Sequence, residues 1–397
     1  MKLVKFERNK VPTSNFEFLN LDVAKNVNAF HKSFPQYEPT PLVSLDNLAK
    51  ELKVNKLFVK DESYRFGLNA FKALGGSYAI GQYLAERLEI DLAELTYDKL
   101  VSSEVRERLG ELTFITATDG NHGRGVAWTA KQLKQKSVVY MPKGSSVERL
   151  NHILAEGADA SITDVNYDDA VRLAAEYAEK NGWVLVQDTA WENYEEIPKK
   201  IMQGYITMAY EAYDQLNALG EKPTHIFIQA GVGSMAASVQ GFFANVYGED
   251  RPITVVVEPD KADCIYKTAE ANDGKLHFVS GDMDTIMAGL ACGEPSTLGW
   301  EILKYYADAF LSCSDNIAAQ GMRILAAPIK DDLKVVSGES GAVGVGGVSE
   351  ILRRSEYADL KEQLKIDSDS KILFFSTEGD TDAEHYKKIV WDGAYSV

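Results

Sequence analysis

The chain has 397 residues, 45% of them apolar and 25% charged, with a formal net charge of −17; that is enough for two core-bearing lobes of ordinary globular composition. Such acidity argues against nucleic acid or an anionic membrane as a partner, since both need basic surface, but leaves room for a local pocket that holds a phosphate. No apolar run reaches the roughly 20 residues that span a bilayer, the charged start Met1 to Arg8 lacks a signal-peptide core, and Cys264, Cys292 and Cys313 are too widely spaced for a CxxC site. A cytoplasmic chain with reduced thiols and no metal is expected.

Residues 1 to about 36 read as an arm, with a helix from Leu21 to Phe34, packing on the body or on a second subunit. Glu38-Pro39-Thr40-Pro41-Leu42 is extended by its prolines. Leu45 to Leu52 is helical, Leu57-Phe58-Val59 is a short buried strand, and Ala73 to Leu84 carries small and apolar residues at helical spacing. The charged stretch Asp91 to Leu112 reads as solvent-facing decoration. Strands at Leu112–Ala117, Ser137–Pro142, Ala160–Thr163 and Trp183–Gln187 then alternate with helices at Gly125–Leu133, Val147–Gly157 and Tyr167–Glu179. After a polar loop, helices at Ile201–Leu216 and Ser234–Tyr247 alternate with strands at Thr224–Gln229 and Ile253–Val257. Helices at Trp300–Ala309, Asp315–Leu325 and Gly344–Ser355 follow, and Lys371–Phe375 closes as a buried strand. Repeated βαβ units imply an α/β fold: two parallel-sheet, three-layer lobes sharing a cleft, with ligands beyond the carboxyl ends of the strands.

Lys72 stands where a loop becomes a helix. The free N–H groups there disfavour an ammonium and help keep the amine neutral enough to attack a carbonyl, although a lysine in such a place is more often solvated charge. Asp119-Gly120-Asn121-His122-Gly123 follows a strand and opens a helix; its glycines let the backbone approach an anion such as a carboxylate, and Asp-Gly-Asn is also a common turn. Asp188 ends a strand at the same cleft, where it is as readily a cap; with Asp119 it offers two candidate bases. Ala230-Gly231-Val232-Gly233-Ser234-Met235-Ala236 has two readings. Strand, Gly-x-Gly-x-x-Ala and helix match the dinucleotide fingerprint, with Glu258 placed for a ribose, which makes an NAD-dependent oxidoreductase one of them. The same amides hold a single phosphate equally well. His31, His152, His225, His277 and His385 have no metal-ligand spacing.

Asn69-Ala70-Phe71-Lys72, preceded by Lys60-Asp61-Glu62 and followed by Gly75-Gly76, resembles the lysine motif of the fold type II, tryptophan-synthase-β-like pyridoxal-phosphate enzymes, with Asn69 in place of the usual Ser. Four further motifs follow in that family's order, so the resemblance spans Glu38 to Asp382. It implies pyridoxal 5'-phosphate held as a Schiff base on Lys72, Asn121 on the cofactor's phenolic oxygen, and Gly120, Asn121 and His122 around a substrate carboxylate. It further implies Gly231, Val232, Gly233, Ser234 and Met235 as a phosphate cup. Ser337–Ala342 resembles a cofactor-lining segment, which sets Glu339 beside the cofactor with Ser340 where the family has Pro. Ser376, with Thr377 as the fallback, falls on the serine that meets the pyridine nitrogen.

Within that family, Lys60–Ser63, Arg65–Lys72 and Thr118–Gly125 resemble the ammonia-lyases acting on 2,3-diaminopropionate. This implies α,β-elimination of both isomers to pyruvate and two ammonia in a homodimer, with Asp119 the base for the D-isomer, Asp188 the base for the L-isomer, and both touching substrate. A serine/threonine dehydratase-type eliminase is the neighbouring alternative. The expected division is a larger cofactor-binding domain, 1–85 with 190–397, and a smaller substrate-side domain, 86–189.

Overall fold

Ile226-Phe227-Ile228, Val255-Val256-Val257 and Ile372-Leu373-Phe374-Phe375 are apolar on every position, a pattern that only a sheet covered on both faces accommodates. In the computed structural model, which describes residues 1–6, 16–94, 96–118 and 120–396, these segments are the buried centre of the larger of two sheets. The strands along the chain are β1 (Lys2–Lys5), β2 (Leu42–Ser44), β3 (Lys56–Asp61), β4 (Thr113–Ala117), β5 (Lys136–Met141), β6 (Asp159–Ile162), β7 (Val184–Leu185), β8 (His225–Gln229), β9 (Ile253–Pro259), β10 (Ala309–Cys313) and β11 (Lys371–Ser376). The seven-stranded sheet has the order β1-β10-β9-β8-β11-β3-β2, parallel except at its two antiparallel edges, β1 and β2. The second sheet, β6-β5-β4-β7, is wholly parallel. The α/β class with two parallel sheets and helices on their faces is the one expected. Among the described residues no helix is long and apolar enough to cross a membrane.

Three local expectations are corrected. Ala309–Cys313 is not the end of a helix: the helix Thr297–Tyr306 stops earlier, and β10 pairs in register with Val255–Pro259. A five-residue, mostly apolar run carries no usable period, and its pairing partner lies about fifty residues away. The segment 91–112 is not all decoration, since Leu92, Leu100 and Val105 are buried in the main core. The helix expected from Gly344 starts at Glu339, capped by extended Gly338, which brings Glu339 and Ser340 into its first turn.

Two features aim the site. The helix Ala73–Leu88 is packed between the helices Glu196–Ala218 and Asn121–Gln132, and at the second contact a Cβ on Gly125 would come within 2.9 Å of the Ala73 backbone, so only glycine permits this approach. The turn that delivers Lys72 is braced by buried charge. Glu211 accepts from Lys60 Nζ at 2.7 Å and from Arg65 Nη1 and Nη2 at 2.8 Å each, and Arg65 also pairs with Glu62 at 2.8 Å. Two cations face two carboxylates, which is the condition for keeping such charges out of water.

Candidate active site

The carboxyl ends of β4, β5, β8 and β11, with the segment after β7, converge on a cavity of about 1030 Å³. Lys72 lies at its base, at the N-terminal end of the helix Ala73–Leu88, with Nζ ion-paired to Asp188 and 5.4 Å from the Phe71 ring centroid. Asp188 is buried and also meets the Tyr167 hydroxyl at 3.5 Å and Gln187 Nε2 at 3.4 Å. His122 presents Nδ1 to the same carboxylate at 3.8 Å, while its Nε2 is 2.8 Å from the Val186 carbonyl and therefore donates. Burial alone would raise the Asp188 carboxyl, but the charges of His122 and Lys72 beside it hold it down at about 2. Asp188 is thus ionised across the physiological range.

The loop expected to hold a carboxylate is formed at the start of the helix Asn121–Gln132. Gly120 caps it with φ +154°, its N–H donating to Thr118 Oγ1 at 2.9 Å, and Asn121 and His122 line the cavity. Asn121 donates through Nδ2 to Glu378, a buried carboxylate that no sequence argument singled out. Asp119 lies outside the described residues.

The five residues Gly231 to Met235 also line the cavity. Gly233 caps the helix Ser234–Tyr247 with φ +98°, and a Cβ there would meet Ile265 at 2.8 Å, so the tight turn requires glycine. The first N–H groups of that helix have no intrahelical partners, which makes this end an anion cradle. Ser234 Oγ donates to the Asp188 carbonyl at 2.6 Å and so ties the cradle to Asp188. The dinucleotide reading fails at Glu258: its carboxylate is wholly buried, accepting from the N–H groups of Ile265 at 2.9 Å and Tyr266 at 2.6 Å, and does not face a ribose.

Two of the expected cofactor contacts lie off the lining. Glu339 pairs at 3.0 Å with Nδ1 of His385, which lines the cavity, as does its neighbour Ser340. Ser376, the last residue of β11, is fully buried opposite Asp61; Thr377 is the residue on the wall, its hydroxyl accepting from Gln229 Nε2 at 2.8 Å. Tyr205, on the helix Glu196–Ala218, is a further lining residue that the sequence did not reveal, because it sits among apolar residues at helical spacing.

A lysine amine, an anion cradle, an amide and a hydroxyl around one cavity fit pyridoxal phosphate in donor type, and the positive-φ turn of Gly233 leaves the cradle open. The comparisons with known proteins agree. Residues 34–377 match the model of the pyridoxal-phosphate dependent enzyme family. The chain is 51% identical over 399 residues to diaminopropionate ammonia-lyase of Salmonella typhimurium, covering 99% of each. The crystal structure of selenomethionine-incorporated holo diaminopropionate ammonia lyase from Escherichia coli superposes with a TM-score of 0.92 at 47% identity, covering 100% of this chain and 97% of that one. The Escherichia coli enzyme in complex with an aminoacrylate-PLP azomethine reaction intermediate gives 0.90 at 47% identity, with 100% and 98% covered. The chain belongs to the pyridoxal-phosphate dependent enzyme family and is, within it, a relative of the diaminopropionate ammonia-lyases.

Proposed function

We propose that this chain catalyses the pyridoxal-phosphate-dependent α,β-elimination of D- and L-2,3-diaminopropionate to pyruvate and two ammonia. The observation that carries the reading is the Lys72–Asp188 contact at a helix start, inside a cavity that also holds an anion cradle; the substrate follows from relatives that carry this activity in their names at 51% identity. When bound, the cofactor supplies a carbonyl for amines and an electron sink that makes the substrate's α-hydrogen acidic.

The chain's own residues supply the rest. The amides of Gly231 to Met235 bind the phosphate, and Asn121, steered by Glu378, offers its amide to the phenolic oxygen. Thr377 offers the ring nitrogen a hydroxyl and not a charge, which favours prompt loss of a β-substituent over long-lived carbanion chemistry. Gly120, Asn121 and His122 hold the substrate carboxylate. Lys72 gives way to the substrate amine and is then free to carry a proton. Asp188, ionised at neutral pH, takes the α-proton of the L-isomer, and Asp119 serves the D-isomer. The β-amine leaves only when protonated, so the proton gathered at Lys72 or at the aspartate passes to it. Aminoacrylate is released and hydrolyses to pyruvate and the second ammonia. Residues 1–85 with 190–397 form the cofactor-binding domain, 86–189 the substrate-side domain, and the active form is a homodimer.

The test is the visible spectrum of the purified chain and of Lys72→Ala, followed by pyruvate release from D- and L-diaminopropionate and from serine. A cofactor band absent from the variant, with pyruvate formed faster from diaminopropionate than from serine, is the expected result. A protein left colourless by pyridoxal phosphate would overturn the reading, and a 2-oxo acid formed only from serine (pyruvate) or threonine (2-oxobutanoate) would replace it with a dehydratase.

A further inference from the structure

Tyr205 is wholly buried, its ring 4.9 Å from that of Phe71, with Lys72 Nζ 5.9 Å from the ring centroid. Gly75 clamps it, since a Cβ there would meet Tyr205 Cε1 at 2.5 Å. Its hydroxyl lies within interaction range of both Lys72 and Asp188, with no well-aligned hydrogen bond formed. The titratable groups around it are Lys72 from the start of its helix, Asp188 from the end of β7, and His122 behind Asp188. Burial raises the Tyr205 phenol, as does Asp188, while Lys72 lowers it; the net shift is upward, so the hydroxyl keeps its proton throughout the working range. Beside a carboxylate, a phenol that cannot ionise serves as a donor.

Asp188 is at present paired with the Lys72 ammonium, which the proposed reaction takes away from it. We propose that Tyr205 is a positioning residue for that reaction: its hydroxyl donates to Asp188 whenever Lys72 is not there as an ammonium, and so keeps Asp188 an ionised and aimed base. The inference rests on the proposed function for its catalytic consequence only. The donor role itself is a property of the chain without cofactor.

Tyr205→Phe removes the hydroxyl and keeps the ring between Phe71 and Gly75. Two readouts follow, each sized by one hydrogen bond to a charged group. In the full chain freed of cofactor, the pH midpoint for acylation of Lys72 by acetic anhydride, read by peptide mass spectrometry, rises by about one unit, because loss of the ammonium would leave Asp188 with only the long contacts from Tyr167 and Gln187. In the holoenzyme, the acid limb of kcat/KM for the L-isomer also rises by about one unit. A purely structural role moves neither. A midpoint or a limb that stays put or falls overturns the proposal. If the wild-type chain forms no pyruvate from either isomer, the proposed reaction itself fails, and the Lys72 midpoint alone decides the role of Tyr205.

Discussion

Replacing Glu211 with glutamine removes the carboxylate that holds Lys60 at 2.7 Å, two Arg65 nitrogens at 2.8 Å and the Tyr37 hydroxyl at 2.8 Å. Lys60, Arg65 and Glu62 are all fully buried, so two cations would then share the single carboxylate of Glu62. Breaking a buried pair from one side costs about 3–5 kcal/mol. The structure also sets a ceiling on that figure. Burial pushes the Lys60 amine below its ordinary 10.5, and Glu211 and Glu62 pull it back up. Without Glu211, Lys60 escapes by shedding its proton, which from 10.5 costs about 5 kcal/mol at pH 7.

That escape has a pH signature. In the folded variant Lys60 is neutral, whereas in the unfolded chain it stays protonated up to its ordinary value. The unfolded state therefore binds more protons, and the variant's stability rises with pH. Wild type, where Glu211 and Glu62 favour the proton on Lys60, has a shallower slope. The gap between the two should narrow by up to about 1.4 kcal/mol per unit between pH 7 and pH 9. Urea unfolding of both proteins at pH 7, 8 and 9 measures it. A gap below about 1 kcal/mol at pH 7, as for a surface pair, or one that does not narrow, would refute the reasoning. Because Glu62 and Arg65 lie in the turn Glu62–Gly67 that leads to Lys72, cofactor affinity should fall along with stability.

Two further outcomes are expected. Asp188→Asn keeps the shape of the side chain but abolishes the base, so pyruvate formation from the L-isomer should fall by roughly 10²–10⁴-fold while the D-isomer is largely spared; equal losses on both isomers in steady-state assays would remove the division of labour. Gly233→Ala puts a side chain at φ +98° within 2.8 Å of Ile265, which should weaken cofactor binding by at least about tenfold, the equivalent of roughly 1.4 kcal/mol of backbone strain; an unchanged dissociation constant in spectral titration would show that this turn does not shape the phosphate site.

The parts of the site that were legible in the sequence are those whose chemistry is local. Lys72 and Gly231 to Met235 each lie between a strand and a helix within one short stretch, and the βαβ rhythm alone sets them at the carboxyl edge of a sheet. What the sequence did not convey depends on contacts across the chain. β10 acquires its identity from Val255–Pro259 on one side and Lys2–Lys5 on the other, and no pattern within five residues encodes either neighbour.

Side-chain direction fails for the same reason, and at finer scale. Ser376 and Thr377 are adjacent at the end of a strand, where successive residues point to opposite faces, so one step in register exchanges their roles. That step is set by Asp61, which pairs with Ser376, and by Gln229, whose amide donates to Thr377 from a neighbouring strand. Glu339 is likewise placed by where its helix begins and by His385, 46 positions on. Tyr205 is the extreme case. Its apolar surroundings mark it as core, and only the approach of Gly75 from one helix and of Asp188 from the other sheet turns a packing residue into one whose hydroxyl stands beside a base. Such a residue acquires chemistry from what the fold brings to it, which is why a variant that alters the hydroxyl but not the ring is the informative one.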